Sequence, residues 1–414
     1  MSRTASWGWG RSDVKKLPLA GIRVLDLSNV IAGPLASYQL ALMGAEVIKI
    51  EVPGSGDLSR KMGADLAAGR KGMGTSYLAF NANKKSLTLN LKSPAGKEVF
   101  RRLAATADVV LENFRPGAMA RLDLSAESLL ALNPRLIYCA VSGFGQTGPL
   151  SEQASYDQII QGYAGLMAMT GEPETAPVKA GLVVCDTTAA ITAAFAIAAS
   201  LVRRNATGEG EIIDVSMLDC ALASMSSWVI SNYLNAGYEP GPIGNHSQTS
   251  APSGTFLTQD GPLNIVNNEQ KQFAATCDAL GLPALRDDPR FRERDDRMQN
   301  QPLLRSILEA HLATDTAAAW EAKLIAAGVP AGPVYTVKQI AEHPQMRDRG
   351  QLQTVHVPAL DRDVQVVGAG YRLSGNAIPV TAPPPSLGEH SRAVLADAGF
   401  SDFEINALAD EGVI

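Results

Sequence analysis

The chain is long enough for two domains, and its composition is that of an ordinary globular protein. Of its 414 residues 46% are hydrophobic, and 36 basic residues stand against 42 acidic residues for a formal net charge of −6. This nearly neutral balance, spread along the chain, supplies no field for nucleic acid or for an anionic membrane. We therefore expect neither as a partner, and an anionic ligand would have to be held by a local basic site.

The cysteines and histidines form no recognised metal-binding or disulfide pattern. The four cysteines lie far apart in apolar surroundings, and the five histidines have no paired ligand spacing. We expect no bound metal and a reducing, cytoplasmic location. The first sixteen residues lack an apolar stretch of signal-peptide length and predict a frayed tail, and their early Arg and Ser leave an organelle-targeting segment as the alternative. The longest apolar passage, residues 189–202, is shorter than the ~20 residues that a membrane span needs, so it predicts a buried helix.

Strands and helices alternate through the first part of the chain. Apolar runs predict the strands, Pro34 and Gly44 delimit the first helix, and Ser93 and Ser125 are typical of helix caps. The strictly alternating segment 84–92 predicts a half-buried strand. The predicted strands are residues 21–29, 45–51, 84–92, 107–114 and 135–143. This order predicts a Rossmann-like, doubly wound parallel α/β sheet with its ligand site at the carboxyl ends of the strands.

The pattern changes after residues 211–217. A long helix should run to about Asn235, and a Gly- and Pro-rich loop then leads to a hairpin over 254–267 with Asp260 and Gly261 at its turn. Two further helices are expected, over 301–312 and 316–328. These elements predict a smaller α+β domain. The predicted boundaries are 1–220 for the N-terminal part of the large domain, 221–330 for the small domain with its linker, and 331–414 for the return to the large domain.

One loop has the glycine spacing of a dinucleotide-binding motif. Gly143, Gly145 and Gly148 satisfy GxGxxG directly after a predicted strand. We interpret the loop as structural or substrate-shaping, because Pro149 and polar residues follow where the motif needs a tightly packed helix. A nicotinamide oxidoreductase is the alternative that would bind its cofactor here. The chain has no GxSxG elbow, so the common α/β-hydrolase triad lacks its nucleophile.

Asp186 is the single carboxylate in an otherwise apolar passage, AGLVVCDTTAAITAAFAIAASLVRR. In one interpretation, DTTA opens a helix and the carboxylate only caps it. In the other, free backbone N–H groups and the positive end of the helix dipole keep the carboxylate ionised, so that it can attack an acyl group as a nucleophile. Attack on a thioester would give a mixed anhydride, and nearby N–H groups would stabilise the tetrahedral intermediate. The two roles are compatible.

Collinear motifs over nearly the whole chain resemble the class III CoA-transferases, the group that includes formyl-CoA transferase, carnitine CoA-transferase and α-methylacyl-CoA racemase. The motifs are PLAGIRVLDLSNVIAGPLASYQLALMGAEVIKIEVPGSGD, NANKKSLTLNLKSPAGK, VLENFRPGAMARLDL, SGFGQTGP, YDQIIQGYAGLMAMTG, VVCDTTAAITAAFAIAASL, GVPAGPV and PPPSLGEH. The resemblance implies a transferase that moves CoA from an acyl-CoA donor, with succinyl-CoA as a candidate, to a carboxylic or dicarboxylic acid. It also implies an interlocked homodimer, in which each chain forms a ring through which the other passes near 205–235 and 330–350.

The resemblance places the family's nucleophilic aspartate at Asp186. In the family mechanism this carboxylate attacks the donor acyl-CoA to form an anhydride, CoA re-attacks to give an aspartyl-CoA thioester, and the acceptor acid reverses the sequence. Asp157 matches a second active-site carboxylate, which would orient substrate or assist proton transfer; from the residues alone it would be a helix N-cap. CoA and acyl-CoA are thus expected as substrates, and no cofactor is expected to stay bound.

Six positions match the CoA site of the family. They are Leu89, Leu91, Lys92, Asn113, Phe114 and Arg121. Basic groups there suit the phosphates of CoA, although from composition alone each would be a solvated surface charge. One departure is Val52, which stands where the family has an arginine on the adenine side. Arg60 and Lys85 are the candidates to replace that arginine.

Two alternative functions stay open besides the nicotinamide oxidoreductase. The racemase branch of the family pairs the aspartate with a histidine, and Tyr156 stands in the place of that histidine. A phenol has too high a pKa to exchange protons readily near neutral pH, so we favour transfer over racemisation. A non-catalytic acyl-CoA-binding protein is the second alternative, and the retained Asp186 argues against it.

The overall pattern looks closer to family members that act on dicarboxylates. The glycine-run loop of formyl-CoA transferase is missing after the hairpin, which argues against oxalate and formate as substrates. A dicarboxylate needs a cationic or N–H-rich pocket for its distal carboxylate, and Asn245, His246 and Gln248 in the Gly- and Pro-rich loop are candidates.

Overall fold

The structure, a computed structural model, describes residues 17–414, so the predicted N-terminal tail lies outside the described residues. These residues divide into two compact units. The first unit runs to Ala164 and also contains Ala180–Tyr238 and Pro344–Ile414. The second unit consists of Gly165–Lys179 and Glu239–His343.

A six-stranded parallel sheet forms the centre of the first unit. Its strands are β1 (Arg23–Asp26), β2 (Glu46–Glu51), β3 (Lys84–Thr88), β4 (Val109–Glu112), β5 (Ile137–Ser142) and β6 (Glu211–Ser216). They pair in the order β3-β2-β1-β4-β5-β6, and every pair is parallel. The prediction of a parallel α/β sheet is therefore confirmed. Strand order reverses between β1 and β4, and such a reversal opens a crevice at the carboxyl edge of the sheet.

Helices cover both faces of this sheet. The helices of both units, in chain order, are α1 (Ala32–Leu42), α2 (Leu66–Arg70), α3 (Thr75–Phe80), α4 (Pro94–Ala104), α5 (Ala118–Arg121), α6 (Ala126–Leu132), α7 (Asp157–Tyr163), α8 (Val184–Thr207), α9 (Met217–Ser224), α10 (Ser231–Ala236), α11 (Gln270–Ala279), α12 (Arg294–Gln299), α13 (Gln301–Leu312), α14 (Ala317–Ala326), α15 (Val337–Glu342), α16 (Pro344–Arg349), α17 (Ser391–Asp397) and α18 (Asp402–Asp410). Of these, α11 to α15 belong to the second unit. On one face, α1 contacts β1, β2 and β4, and α8 contacts β5 and β6. Because α1 also packs against α8, it is buried almost all round.

The core on the other face joins the sheet to the C-terminal end of the chain. Alternate strand residues such as Leu25, Ile48 and Val110 point into it, as the two-residue period of a strand requires. They pack with Phe100 of α4 and Leu395 of α17, and α18 adds further apolar side chains. The last part of the chain is thus built into the core of the first unit.

The edge strand β3 is more buried than its alternating sequence predicts. The expectation of a half-buried strand is wrong because C-terminal residues cover this edge. The N–H of Gly388 donates to Ser86 Oγ at 2.9 Å, and the N–H of His390 donates to the Ser86 carbonyl at the same distance. The N–H of Thr88 donates to Ser391 Oγ at 3.1 Å. Covering an edge in this way also removes a site for unwanted strand pairing.

The expectation of a buried helix over 189–202 is wrong for one face of α8. Alanines such as Ala189 and Ala193 are buried, whereas Ile191, Phe195 and Val202 are exposed on this chain, Phe195 by 72%. Among the described residues, α8 is the one helix that is long and apolar enough to cross a membrane. Its packing against α1, α9 and the sheet is also what the core helix of a soluble protein shows.

The second unit is built on a three-stranded antiparallel sheet. Its strands are β7 (Gly254–Leu257), β8 (Pro262–Ile265) and β9 (Ala331–Pro333), in that order. The predicted hairpin is confirmed as the pair β7 and β8, with Asp260 and Gly261 in its connection. Phe256, Phe273 and Trp320 lie in the apolar core, to which α11, α13 and α14 contribute.

Two small hairpins complete the first unit. They are β10 (Leu352–Val357) with β11 (Arg362–Val367), and β12 (Arg372–Leu373) with β13 (Asn376–Ala377). Val357 of the larger hairpin packs with Tyr77 and Leu78 of α3 in a separate apolar cluster.

Candidate active site

A cavity of about 250 Å³ lies at the carboxyl edge of the parallel sheet and contains Asp186. We call it the Asp186 cavity. It is lined by residues 29–32, 113–116, 141–143, 151 and 153–156, together with Asp186 and Met217. These segments follow β1, β4, β5 and β6 or begin α8, so the cavity sits where an open parallel sheet is expected to bind ligands.

Asp186 is the third residue of α8 and does not cap it. Val183 is the N-cap residue, and no side chain of this helix caps its own first turn. Instead, Asp157 accepts the N–H groups of Cys185 and Asp186 on Oδ1, at 2.7 and 3.2 Å. Both capping interpretations are therefore wrong in detail: Tyr156 is the N-cap residue of α7, and Asp157 caps α8 from across the site.

The carboxyl group of Asp186 is more basic than an ordinary aspartate. Burial, and to a smaller extent the negative charge of Asp157, together raise the pKa of Asp186 to about 7. The expectation that free N–H groups keep Asp186 ionised is wrong, because Asp157 already takes the N–H groups of the first turn. About half of the molecules should carry an ionised Asp186 near neutral pH, and that ionised form is a stronger base than an ordinary carboxylate.

Gln161 ties Asp157 to the segment that leads into α8. Its Nε2 donates to Asp157 Oδ2 and to the Leu182 carbonyl, and its Oε1 accepts the Ala180 N–H at 2.9 Å. The sequence analysis missed this residue. The signal was present, since Asp157 and Gln161 are four residues apart and therefore share one face of a helix; both are buried.

Two asparagines bridge the point where the strand order reverses. The Asn29 N–H donates to Asn113 Oδ1 at 2.8 Å, and Asn113 Nδ2 donates to the Asn29 carbonyl at 2.9 Å. The side chain of Asn113 thus fixes the loop after β1 from the end of β4. Asn113 also lines the Asp186 cavity. It therefore fixes the loop and is at the same time placed where the predicted CoA contact would be made.

A second cavity of about 260 Å³ adjoins the first and is mainly apolar. Asn29 and Phe114 line both cavities. The other residues of its wall are Leu27, Ile50, Glu51, Val52, Leu89, Asn90, Leu91, Lys92 and Leu122. Four of the six residues predicted for CoA binding, namely Leu89, Leu91, Lys92 and Phe114, therefore meet in one cavity. Arg121 is exposed on α5 and lies outside both walls, so its role stays a prediction.

The two candidates for the missing adenine-side arginine are wrong. Arg60 is buried and donates to Glu51 Oε1 and Oε2, both at 2.7 Å, and to the hydroxyl of Tyr77. Lys85 pairs with Glu46 at 2.6 Å near the amino end of β2, away from the carboxyl edge. Val52 itself lies on the wall of the second cavity and is 60% exposed, so this rim is apolar.

Arg115 is a second residue that the sequence analysis missed. It is exposed, it follows β4 in the segment NFRPG, and it is the one cation among the described residues that line the Asp186 cavity. Asn245, His246 and Gln248 belong to the second unit, where the N–H of Thr255 donates to the Asn245 carbonyl at 3.1 Å. Their proposed contact with substrate stays a prediction.

The GFGQTG loop is shaped by close packing. A Cβ atom on Gly143 would lie 1.7 Å from Ser155 Oγ, so this position requires glycine. Gly145 has a φ of 85°, which also favours glycine. No helix follows the loop until α7, and Gly143 lines the Asp186 cavity. These features fit the structural and substrate-shaping interpretation and lack the helix that a dinucleotide motif needs.

Comparison with known proteins decides the family. A family model described as CoA-transferase family III matches residues 19–391. The chain belongs to CoA-transferase family III. The prediction of a class III CoA-transferase is thereby confirmed, and CoA thioesters are the substrates that CoA-transferases use.

This CoA-transferase is similar to curated enzymes over nearly its full length. It is 36% identical to a succinyl-CoA:glutarate CoA-transferase from Mus musculus over 398 residues, which cover 96% of this chain and 90% of the mouse protein. It is 39% identical to a succinate–glutarate CoA-transferase from Agrobacterium fabrum over 391 residues, 92% of this chain and 96% of that protein. A crystal structure of a CAIB/BAIF family protein from Brucella suis matches with a TM-score of 0.81 and 34% identity, covering 92% of this chain and 99% of that one.

The raised pKa of Asp186 predicts that this residue lowers stability at alkaline pH. A carboxyl group whose pKa is higher in the folded chain than in the unfolded chain destabilises the fold above the unfolded value, and the effect is complete above about pH 7. After allowance for partial exposure, we expect Asp186→Asn to raise the free energy of unfolding by ~1–3 kcal/mol at about pH 8 and by close to nothing at about pH 3, below the pKa of the unfolded chain. Denaturant titrations at the two pH values measure this.

The control for this experiment is Asp402→Asn, which removes an exposed carboxylate from the first turn of α18. It should not increase stability at either pH. Equal stability of Asp186→Asn and the unaltered protein at both pH values would contradict the prediction.

Proposed function

We propose that this CoA-transferase moves CoA between dicarboxylic acids through covalent intermediates on Asp186. The observation that carries the proposal is a partly buried carboxyl group, with its pKa raised to about 7, in a cavity at the carboxyl edge of the sheet. Similarity to two transferases that are named for succinate and glutarate supports dicarboxylates as the substrate class.

In the first half-reaction, an oxygen of ionised Asp186 attacks the thioester carbon of the donor. A C–O bond forms, the C–S bond breaks, and CoA leaves as a thiolate. The thiolate then attacks the carbonyl carbon of Asp186 in the mixed anhydride, which releases the donor acid and leaves CoA as a thioester on Asp186. The acceptor carboxylate repeats these steps in reverse. Each step exchanges one acyl bond for another, so water must be kept away from the intermediates.

The second cavity supports a place for CoA next to the nucleophile. Its apolar wall and the exposed ammonium of Lys92 suit the nucleotide part of CoA, and the shared residues Asn29 and Phe114 connect it to the Asp186 cavity. Asp157 supports the reaction by holding the first turn of α8 and by keeping Asp186 basic. No cofactor is needed in this scheme besides the CoA substrate.

Arg115 is our candidate for an anionic group of the substrate. A second carboxylate in a partly enclosed cavity must be neutralised, and a guanidinium is well suited to bind a carboxylate through two hydrogen bonds. The phosphates of CoA present the same chemistry. Arg115 has no ion pair within the described part of the chain, so its charge is available to a ligand.

Mass spectrometry after incubation with succinyl-CoA and a panel of small acids tests the covalent mechanism. We expect a CoA-sized adduct on the peptide that contains Asp186, together with a new acyl-CoA product. Asp186→Ala should lose the adduct and lower the transfer rate by ~1,000-fold or more, because the covalent route disappears. Asp402→Asn should behave like the unaltered enzyme. Deuterium uptake beside the thioester without adduct or transfer would support the racemase alternative instead.

Kinetics with matched acids test the role of Arg115. For Arg115→Met we expect KM for glutarate to rise by ~10–100-fold, as loss of a charge-assisted pair implies, and KM for the monocarboxylate valerate to stay the same. An equal rise of KM for the acyl-CoA with either acid would instead assign Arg115 to a phosphate of CoA. Arg101→Met, which changes a half-buried arginine of α4 outside both cavities, is the control, and no change in any KM would contradict both assignments.

We further propose that the enzyme is an interlocked homodimer whose two units act as the large and small domains. The support is apolar surface left open on the first unit: Ile191, Phe195 and Val202 on α8, and Trp228 and Leu234 near α10. Large exposed patches of this kind mark interfaces more often than free surface.

Sedimentation and subunit exchange test the dimer. We expect a dimer that exchanges subunits slowly, since interlocked rings must open before they separate. Phe195→Asp should weaken the dimer by placing a charge in its interface. Phe403→Asp, which changes another exposed phenylalanine, on α18, should leave it intact. A monomeric unaltered protein would refute the proposal.

A further inference from the structure

A cluster of buried charges lies beneath the wall of the Asp186 cavity. Three positive and three negative side chains, each at most 4% exposed, form it: Asp26, Lys49, Glu51, Asp57, Arg60 and Lys84. Lys49 Nζ lies 2.9 Å from Asp57 Oδ2, and Lys84 Nζ lies 3.2 Å from Asp26 Oδ2. The charges balance within the cluster, so it needs no counter-ion from solvent.

The Lys49–Asp57 pair holds the loop that follows β1. Asp57 Oδ1 accepts the Val30 N–H at 3.0 Å, and Lys49 Nζ donates to the Ser28 carbonyl at 2.7 Å. The pair thus hydrogen-bonds to the residue before Asn29 and to the residue after it. Asn29 itself is hydrogen-bonded to Asn113.

The loop is held in a strained conformation. Val30 has a φ of 69°, in the left-handed region that a β-branched residue strongly disfavours. Strain of this kind persists only when the surroundings fix the backbone, and it is concentrated at functional sites. Val30 and its neighbour Ile31 line the Asp186 cavity, so the strained turn is part of the wall beside the nucleophile.

We propose that Lys49 and Asp57 are positioning residues for CoA transfer: their buried ion pair holds Val30 in its left-handed conformation and so fixes the cavity wall at residues 29–32. The inference rests on the proposed function, because the wall serves the reaction at Asp186. Neither residue lines the cavity, so they act through the backbone of the loop. The competing explanation is that the pair only stabilises the fold.

A rescue experiment separates these explanations. Asp57→Ala should lower kcat by ~100-fold, since a shift of about 1 Å in a reacting group can cost that much, with little change in KM for the acyl-CoA. Glycine adopts a positive φ without steric cost, so Val30→Gly makes the turn independent of Asp57. In the Val30→Gly background, we expect Asp57→Ala to lower kcat by less than ~5-fold. Val30→Ala keeps a Cβ atom and should give no rescue.

A second variant keeps the test decisive if Asp57→Ala does not fold. Asp57→Asn retains an acceptor for the Val30 N–H but removes the charge that faces Lys49, and its loss of kcat should be rescued by Val30→Gly in the same way. Arg204→Met is the control for a purely structural ion pair, because Arg204 pairs with Asp108 at 2.8 Å before the amino end of β4. It should lower Tm and leave kcat unchanged.

The outcomes also separate this inference from the proposed function. The unaltered enzyme is examined in parallel for the CoA adduct on the Asp186 peptide, and absence of that adduct means that the proposed function has failed. If the adduct forms, the loss of kcat caused by the Asp57 substitutions is compared between the protein with Val30 and the Val30→Gly background. An equal loss in both overturns the positioning role. Asp57 variants that lower Tm but keep kcat, as Arg204→Met should, overturn it as well.

Discussion

The reversal of strand order between β1 and β4 is the constraint on which the site depends. At this point the loops after two neighbouring strands run in different directions, and the crevice between them stays open only if both loops are held. The reciprocal hydrogen bonds of Asn29 and Asn113 join the two sides. Because both groups are neutral amides, they bridge the gap without placing a charge at this point of the cavity wall. The Lys49–Asp57 pair then holds the same loop from below. Polar contacts to the backbone of the loop after β1 therefore fix the shape of the cavity. Apolar packing on the two faces of the sheet stabilises the strands that carry the loops.

The placement of two carboxylates at the start of α8 decides the chemistry of Asp186. Had the first-turn N–H groups bound Asp186, its pKa would have fallen, and a weakly basic carboxylate is a poor nucleophile. Asp157 accepts those N–H groups instead, and Gln161 holds Asp157 in place. The helix end is thus stabilised by one carboxylate, and the other stays more basic than an ordinary aspartate, as the proposed mechanism requires. The same arrangement leaves a substantial fraction of the molecules with a protonated Asp186 at neutral pH. The raised pKa therefore makes each ionised carboxylate more basic but lowers the fraction of molecules that carry one.

Local chemistry in the sequence was enough to predict much of the fold. Apolar and alternating runs predicted five of the six strands, β1 to β5, and the caps Ser93 and Ser125 are confirmed by their hydrogen bonds to the first turns of α4 and α6. Motif resemblance singled out Asp186 and four of the eleven residues that line the second cavity. The contact of Asp157 with the first turn of α8 could not be predicted, because Asp157 is 28 residues from Cys185 in the sequence. The sequence pattern around either residue gives no information about the other. Arg60 was misassigned for a similar reason: an arginine near a ligand-binding motif looks available until its buried partner, Glu51, is known. Sequence patterns specify which face of an element is apolar, whereas partners across the fold depend on its three-dimensional arrangement.

Burial of six charges at one edge of the sheet is difficult to explain by stability alone. Moving an ion pair out of water costs several kcal/mol per ion, and apolar residues of the same size often replace such a pair without loss of stability. Apolar side chains cannot, however, accept the N–H of Val30 or donate to the carbonyl of Ser28. A left-handed valine requires directional contacts that fix a single backbone conformation, and hydrogen-bonded charges provide them. Geometry therefore explains the cluster better than stability does. The cluster lies next to a cavity wall whose backbone is strained at Val30, and it contacts that backbone directly.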